Sequence, residues 1–299
     1  MGILMHQSQA TIESTIQATC QYFQSQPLFY GHGSDSPWDE AVFLVLAACD
    51  YPLDSRDDIL PEKLTQSQQD KISLWRAMRV EQRLPLPYIT GFSYFCGLRF
   101  EVDSRVLIPR SPIGEMILNE FKPWLINEPR RILDLCTGSG CIAIALAKAF
   151  PNALVDATDL SLDALSLAKI NRHNHQLEDR VSFFEGDLFQ PVPKTNYQLI
   201  VSNPPYVDKK DMDELPQEYL NEPKLALAAG LDGLDLVHIM LKDAVKYLAK
   251  DGILVIEVGN SAEALENAYP TVPFTWVEFE NGGDGVFVLT YQELKNYLL

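Results

Sequence analysis

The 299-residue chain has no apolar run long enough to cross a membrane. Positive charge is also scarce: 24 lysines and arginines stand against 41 aspartates and glutamates, a formal net charge of −17. A general grip on nucleic-acid phosphates needs a basic surface, so this balance argues against that class of function and permits a basic protein partner. Its five cysteines, Cys20, Cys49, Cys96, Cys136 and Cys141, are an odd, scattered set with no CxxC pair. That argues against a disulfide framework or a zinc site and leaves small buried thiols. The five histidines add no metal pattern, since His173 and His175 are two apart and face different ways on a helix. The opening MGILMHQSQATIEST has no basic stretch before an apolar one, so no secretory leader is expected. His6 stands where the myristoylation pattern needs Ser or Thr. A cytoplasmic protein is the expectation.

Such a length exceeds one typical domain, and two are expected. Residues 1–85 read as a small helical N-terminal domain that positions a partner. Ile12, Ile16 and Phe23 share a face, Pro37 opens a second helix ahead of Asp39 and Glu40, and Ile72, Trp75 and Met78 or Arg79 recur at helical spacing in a third. Residues 86–108 switch to alternating aromatics around glycines and read as a β-hairpin connector. Ser111 is then a candidate N-cap, with Pro112 at the first helical position and Glu115 completing a shifted capping pattern.

Residues 109–299 form the larger domain. From Arg130, RRILDLC, ALVDATD, VSFFEGD, YQLIVSN and ILVIEVG read as strands and the segments between the first of them as helices. DLVHIMLKDAVKYLAKDG reads as an amphipathic helix ended by Gly252. This alternation predicts an α/β fold, a Rossmann-like, mostly parallel sheet covered on both faces. FTWVEFE, NGGDG and VFVLTY predict a closing antiparallel hairpin, where a plain dinucleotide-binding fold continues with βα units.

DLCTGSGC, residues 134–141, joins the first strand to its helix, and Gly138 and Gly140 allow a sharp turn and close approach to a ligand. The third glycine of GxGxxG is absent, and so is a Walker lysine, which weakens phosphate cradling. Asp159 ends the second strand about twenty residues on, where an acid accepts both hydroxyls of a ribose; Ser161 is the better cap for the following helix. Asp187 ends the third, suited to an adenine amino group, with Leu188 against the ring. Asp134 adds negative charge that repels a pyrophosphate and suits a cofactor with a positive centre and an ammonium group. S-adenosylmethionine has both.

The fourth strand ends in Asn203-Pro204-Pro205-Tyr206. Proline cannot donate to a sheet ladder, so these residues lie beyond the strand. An amide or aromatic amine has its nitrogen lone pair delocalised, and no ordinary side chain is basic enough to remove its proton first. Two fixed acceptors solve this by holding the NH2 so that the lone pair faces the methyl carbon: the Asn203 side-chain carbonyl and the Pro204 main-chain carbonyl, preorganised by the prolines. Tyr206 packs on the planar group and excludes water.

NPPY resembles the signature of methyltransferases that act on planar NH2 groups, and LDLCTGSG is similar to their cofactor loop, with Cys136 where the general form has glycine. A helical N-terminal domain, a hairpin and NPPYV are similar to the protein glutamine N5-methyltransferase family. Within it, GLRFEVDSRVLIPRSPIGEMI, DLCTGSGCIAIA, NPPYVDKKDMDELPQEY and FTWVEFENGGDGVF resemble the branch acting on large-subunit ribosomal protein L-three. Release-factor enzymes differ where this chain has Arg110-Ser111-Pro112-Ile113-Gly114-Glu115. The resemblance implies a class I S-adenosylmethionine-dependent methyltransferase with no metal. It implies cofactor contacts from Asp134, Cys136, Thr137, Gly138, Ser139 and Gly140, from Asp159 and Leu160, from Asp187 and Leu188, and from Asn203. It implies a glutamine gripped by Asn203, Pro204, Pro205 and Tyr206, carried by a basic ribosomal protein, free or in an assembly intermediate. Release-factor methylation, nucleic-acid adenine methylation and a noncatalytic assembly factor are the alternatives; the acidic balance counts against the nucleic acid. Arg110 has no assigned role.

Overall fold

The computed structural model describes residues 10–298. The leader and His6 readings concern residues 1–9 and lie outside them. Two compact units are present, one comprising residues up to Gly91 together with Pro216–Asn221, the other Phe92–Leu215 and Glu222–Leu299.

The first unit is helical: α1 (Ile12–Gln24), α2 (Pro37–Ala48), α3 (Gln66–Glu81) and α4 (Leu86–Thr90). Each of the first three starts on a side-chain cap. Thr11 accepts from the Ser14 amide, Ser36 from Asp39 and Thr65 from Gln68, which satisfies amides that a helix start leaves orphaned. Ile12, Ile16 and Phe23 are buried, as their spacing predicts. Arg79 is fully buried and binds Glu40, Glu218 and the Phe29 carbonyl. Glu218 comes from the short Pro216–Asn221 segment, so the helical unit contains a piece of chain that follows the NPPY motif.

The expected connector is divided, with α4 in the first unit and the hairpin β1 (Phe92–Phe95) and β2 (Leu98–Glu101) in the second. Beyond it come α5 (Ile113–Leu118), β3 (Arg131–Leu135), α6 (Cys141–Ala149), β4 (Leu154–Asp159), α7 (Leu162–Asn174), β5 (Val181–Glu185), β6 (Tyr197–Ser202) and α8 (Lys209–Glu214). The chain ends with α9 (Asp235–Asp243), β7 (Leu248–Glu257), α10 (Ala262–Ala268), β8 (Thr275–Trp276), β9 (Val286–Thr290) and α11 (Tyr291–Leu298). The sheet order is β5-β4-β3-β6-β7-β9-β8, parallel through β7, with β9 antiparallel to both its neighbours. Strand residues alternate between two cores. Ile132, Val155 and Val201 pack with α5 and α6 on one face; Leu133, Ile200 and Ile256 pack with α9, α10 and α11 on the other.

Two local expectations are corrected. The helix expected to run to Gly252 stops at Asp243, and β7 already begins at Leu248, which pairs with Tyr197. A Cβ on Gly252 would lie 2.9 Å from the Tyr197 carbonyl, so this glycine allows close approach inside a strand rather than ending a helix. Pairing across the sheet outweighs the helical period of the sequence there. At the start of α5, Pro112 takes the cap position without a side-chain bond, while the Ser111 hydroxyl still accepts from the Ile113 amide at 3.2 Å. Glu115 leaves the capping pattern and accepts from the Glu280 and Asn281 amides.

Candidate active site at the carboxyl edge of the sheet

The chain direction reverses its strand order between β3 and β6, the place where open α/β sheets bind ligands. A cavity of about 260 Å3 lies at this edge. Its glycine-turn wall carries Cys136, Thr137, Gly138 and Ser139. Gly138 has φ +55°, and a Cβ there would meet nothing within 4 Å, so bare backbone faces open space. Gly140, at φ +79°, serves packing instead, because its Cβ would press on Phe183 and Ala168 at 3.1 and 3.2 Å. Cys136 itself has φ +59°, a left-handed conformation that accounts for the usual glycine at this point. Asp134 is completely buried behind the turn and is not on the cavity wall. One of its oxygens accepts from the Thr137 hydroxyl at 2.5 Å and the Ala143 amide at 3.1 Å. That oxygen braces the loop, while Oδ1 is buried without a hydrogen-bond partner.

Asp159 does reach the cavity, with Leu160 beside it. Its two oxygens accept from the Gly138 amide at 2.8 Å and the Ser161 amide at 2.9 Å, which aims the carboxylate across the glycine turn. Ser161 caps α7 through the Ala164 amide, as expected. Asp187 and Leu188 line the same space; Leu188 is buried, with φ +46°.

The NPPY corner begins where β6 ends. Asn203 and Pro205 line the cavity, whereas Pro204 and Tyr206 do not. Past the corner, the Val207 amide donates to the Leu227 carbonyl and the Val207 carbonyl accepts from the Ala229 amide. The Tyr206 carbonyl accepts from Ser261 at 3.0 Å, and its hydroxyl donates to Glu257 at 2.9 Å. Both ends of the arch are therefore anchored, and the prolines stiffen what lies between.

Residues 114–272 match the methyltransferase small domain family. The ribosomal protein uL3 glutamine methyltransferase of Francisella tularensis subsp. tularensis is 47% identical over 289 residues, 96% of this chain and 92% of that protein. Its counterpart in Bordetella pertussis is 42% identical, over 95% of this chain and 96% of that protein. The chain belongs to this methyltransferase family. Among solved structures, the hMettl16 catalytic domain in complex with MAT2A 3'UTR hairpin 1 aligns with a TM-score of 0.52 at 15% identity. That alignment covers 83% of this chain and 91% of the other, and at such identity it shows the fold alone.

The structure also brings to the methyltransferase site residues that sequence reasoning did not place there. Arg110, on the cavity wall, makes a two-pronged ion pair with Glu222, at 2.7 and 2.5 Å. Glu222 is buried and also accepts from the Ile108 amide, so it pins residues 108–110 to the loop beyond the NPPY corner. No local sequence signal announces this pair, whose partners are 112 residues apart. Ser111, likewise on the wall, donates to Glu257 at 2.5 Å. Burial pushes the carboxyls of Asp134 and Glu257 up to about 7, and it raises Asp159 against the pull of the Ser161 and Gly138 amides. The Cys136 thiol is also pushed up by burial, with Asp159 adding to the effect, which makes it a packing group rather than a nucleophile.

Proposed function

We propose that this methyltransferase moves a methyl group from S-adenosylmethionine to the side-chain amide nitrogen of a glutamine in ribosomal protein uL3. The observation that carries the reading is that Asn203, Gly138, Asp159 and Leu188 line one cavity. The residues suit the cofactor: bare backbone at Gly138, a carboxylate at Asp159 for ribose hydroxyls, and the apolar Leu188 for an adenine face. When bound, S-adenosylmethionine supplies an electrophilic methyl group on a sulfonium centre.

The chain's own residues then hold and orient. Asn203 Oδ1 and the Pro204 carbonyl accept the two N–H bonds of the glutamine amide and turn its lone pair toward the donor. Pro204 and Pro205 bring no competing amide hydrogen to the corner. Tyr206 closes the corner against water. After transfer the nitrogen sheds one of its protons to water, so no general base acts beforehand. The acidic balance of the chain suits a basic ribosomal protein, free or in an assembly intermediate.

Tritiated S-adenosylmethionine with purified uL3 tests the reading. Asn203→Ala is expected to lower transfer at least about 100-fold, the scale of losing one preorganised acceptor at a reacting group. Undiminished labelling of uL3 by this variant, or labelling of a release factor instead of uL3 by the unaltered enzyme, overturns it.

A further inference from the structure

Glu257 has no role in the reading above, yet it occupies a particular place. It is the last residue of β7, and the pairing of Ser202 with Ile256 sets it level with Asn203 on the neighbouring strand. Its side chain is buried, and its oxygens are divided between two hydroxyls: Ser111 on one at 2.5 Å, Tyr206 on the other at 2.9 Å. Ser111 belongs to the cavity wall and Tyr206 to the NPPY corner, so one carboxyl spans both. Its backbone neighbourhood is shaped around the same tyrosine. Gly259 has φ +46°, and a Cβ there would lie 2.6 Å from the Tyr206 ring. Ser261, two residues on, takes the Tyr206 carbonyl. A buried acid costs stability, and a well-packed apolar residue serves a core better. An acid kept here, with both oxygens on hydroxyls of the site, points to a task in the site.

We propose that Glu257 is a positioning residue for methyl transfer, acting through Tyr206 to hold the Asn203–Pro204 acceptors at the angle the substrate amide requires. Through Ser111 it ties that angle to the wall of the cofactor cavity. The proposal rests on the reading of Asn203–Tyr206 as the amide-holding corner.

Steady-state methylation of uL3 by the full-length enzyme tests it, alongside equilibrium binding of S-adenosylmethionine. Glu257→Leu is expected to lower kcat roughly tenfold, the scale of one lost positioning hydrogen bond, with cofactor affinity unmoved. Tyr206→Phe, which deletes one oxygen and leaves Glu257 in place, is expected to do the same. The double variant is expected to lose no more than either single one, because both break the same contact. Glu257→Gln, which keeps an acceptor for Tyr206, recovers most of the loss.

Full kcat in Tyr206→Phe overturns the proposal, even if Glu257→Leu fails to fold. So do losses that multiply in the double variant, or a fall in kcat matched by a fall in cofactor affinity. Asn203→Ala in the same assay separates the two ideas. If it alone loses activity, the corner stands and the role of Glu257 falls; if it stays active, the reading of the corner itself falls.

Discussion

Glu257 carries a pH signature that follows from its burial. Its carboxyl ionises near 4.5 in an unfolded chain and at about 7 in the fold, so between these values the folded state holds the proton more firmly. Stability from this group is therefore fully present below pH 4.5 and is lost as pH rises through about 7. Relative to Glu257→Gln, the unaltered protein is expected to lose about 3 kcal/mol across that window. Urea unfolding of both proteins at several pH values checks this, and parallel stability curves would contradict it. Asp134 acts with the same sign between 3.8 and about 7. Gly138 and Gly140, in the turn between β3 and α6, differ in a testable way. Gly138→Ala is expected to weaken S-adenosylmethionine binding more than tenfold, since its Cβ enters the cavity at a strained φ. Gly140→Ala is expected to show up first in thermal unfolding, because its Cβ meets Phe183 and Ala168.

At the scale of elements, some helix starts were readable, and the end of α9 was not. Pro37 fixes φ at the first position of α2, and Ser161 accepts from the Ala164 amide three residues on; both act locally, and local sequence suffices for them. The boundary between α9 and β7 is set by pairing with β6, and LKDAVKYLAKDG carries no sign of that partner. Arg79 is the same lesson in a helix. Spacing left Met78 and Arg79 as alternatives for the buried face of α3 and said nothing of the partners that settle it, Glu40 on α2 and Glu218 from the segment after the NPPY corner. Arg79→Met leaves the buried Glu40 without its counter-charge and leaves Glu218 with Arg83 alone. It is expected to destabilise the helical unit by about 3–5 kcal/mol, read by the circular dichroism melting curve.

For the whole molecule, the net charge of −17 is a statement about encounter. If a basic ribosomal protein is the substrate, attraction speeds association at low ionic strength and is screened as salt rises. The kcat/KM for uL3 is expected to fall several-fold between about 50 and about 300 mM salt, while affinity for S-adenosylmethionine changes little. A salt-independent kcat/KM for uL3 would rule out electrostatic steering.

By itself the sequence determined the alternation of strands and helices, the glycine turn, the place of Asp159 at the end of its strand and the NPPY corner. Each is a local matter: glycine admits positive φ, proline removes a donor, and a strand end presents whatever residue follows it. Only the tertiary structure decided which strand ends are neighbours. The order β4-β3-β6-β7 sets Glu257 beside Asn203, joins Ser111 to it across 146 residues, and gives Arg110 its partner in Glu222. It also set Asp134 behind the turn, where one of its oxygens braces the loop. The motif supplied the corner. What anchors it comes from contacts between distant segments, Glu257 and Ser261 on Tyr206, which leave no periodic trace in the chain.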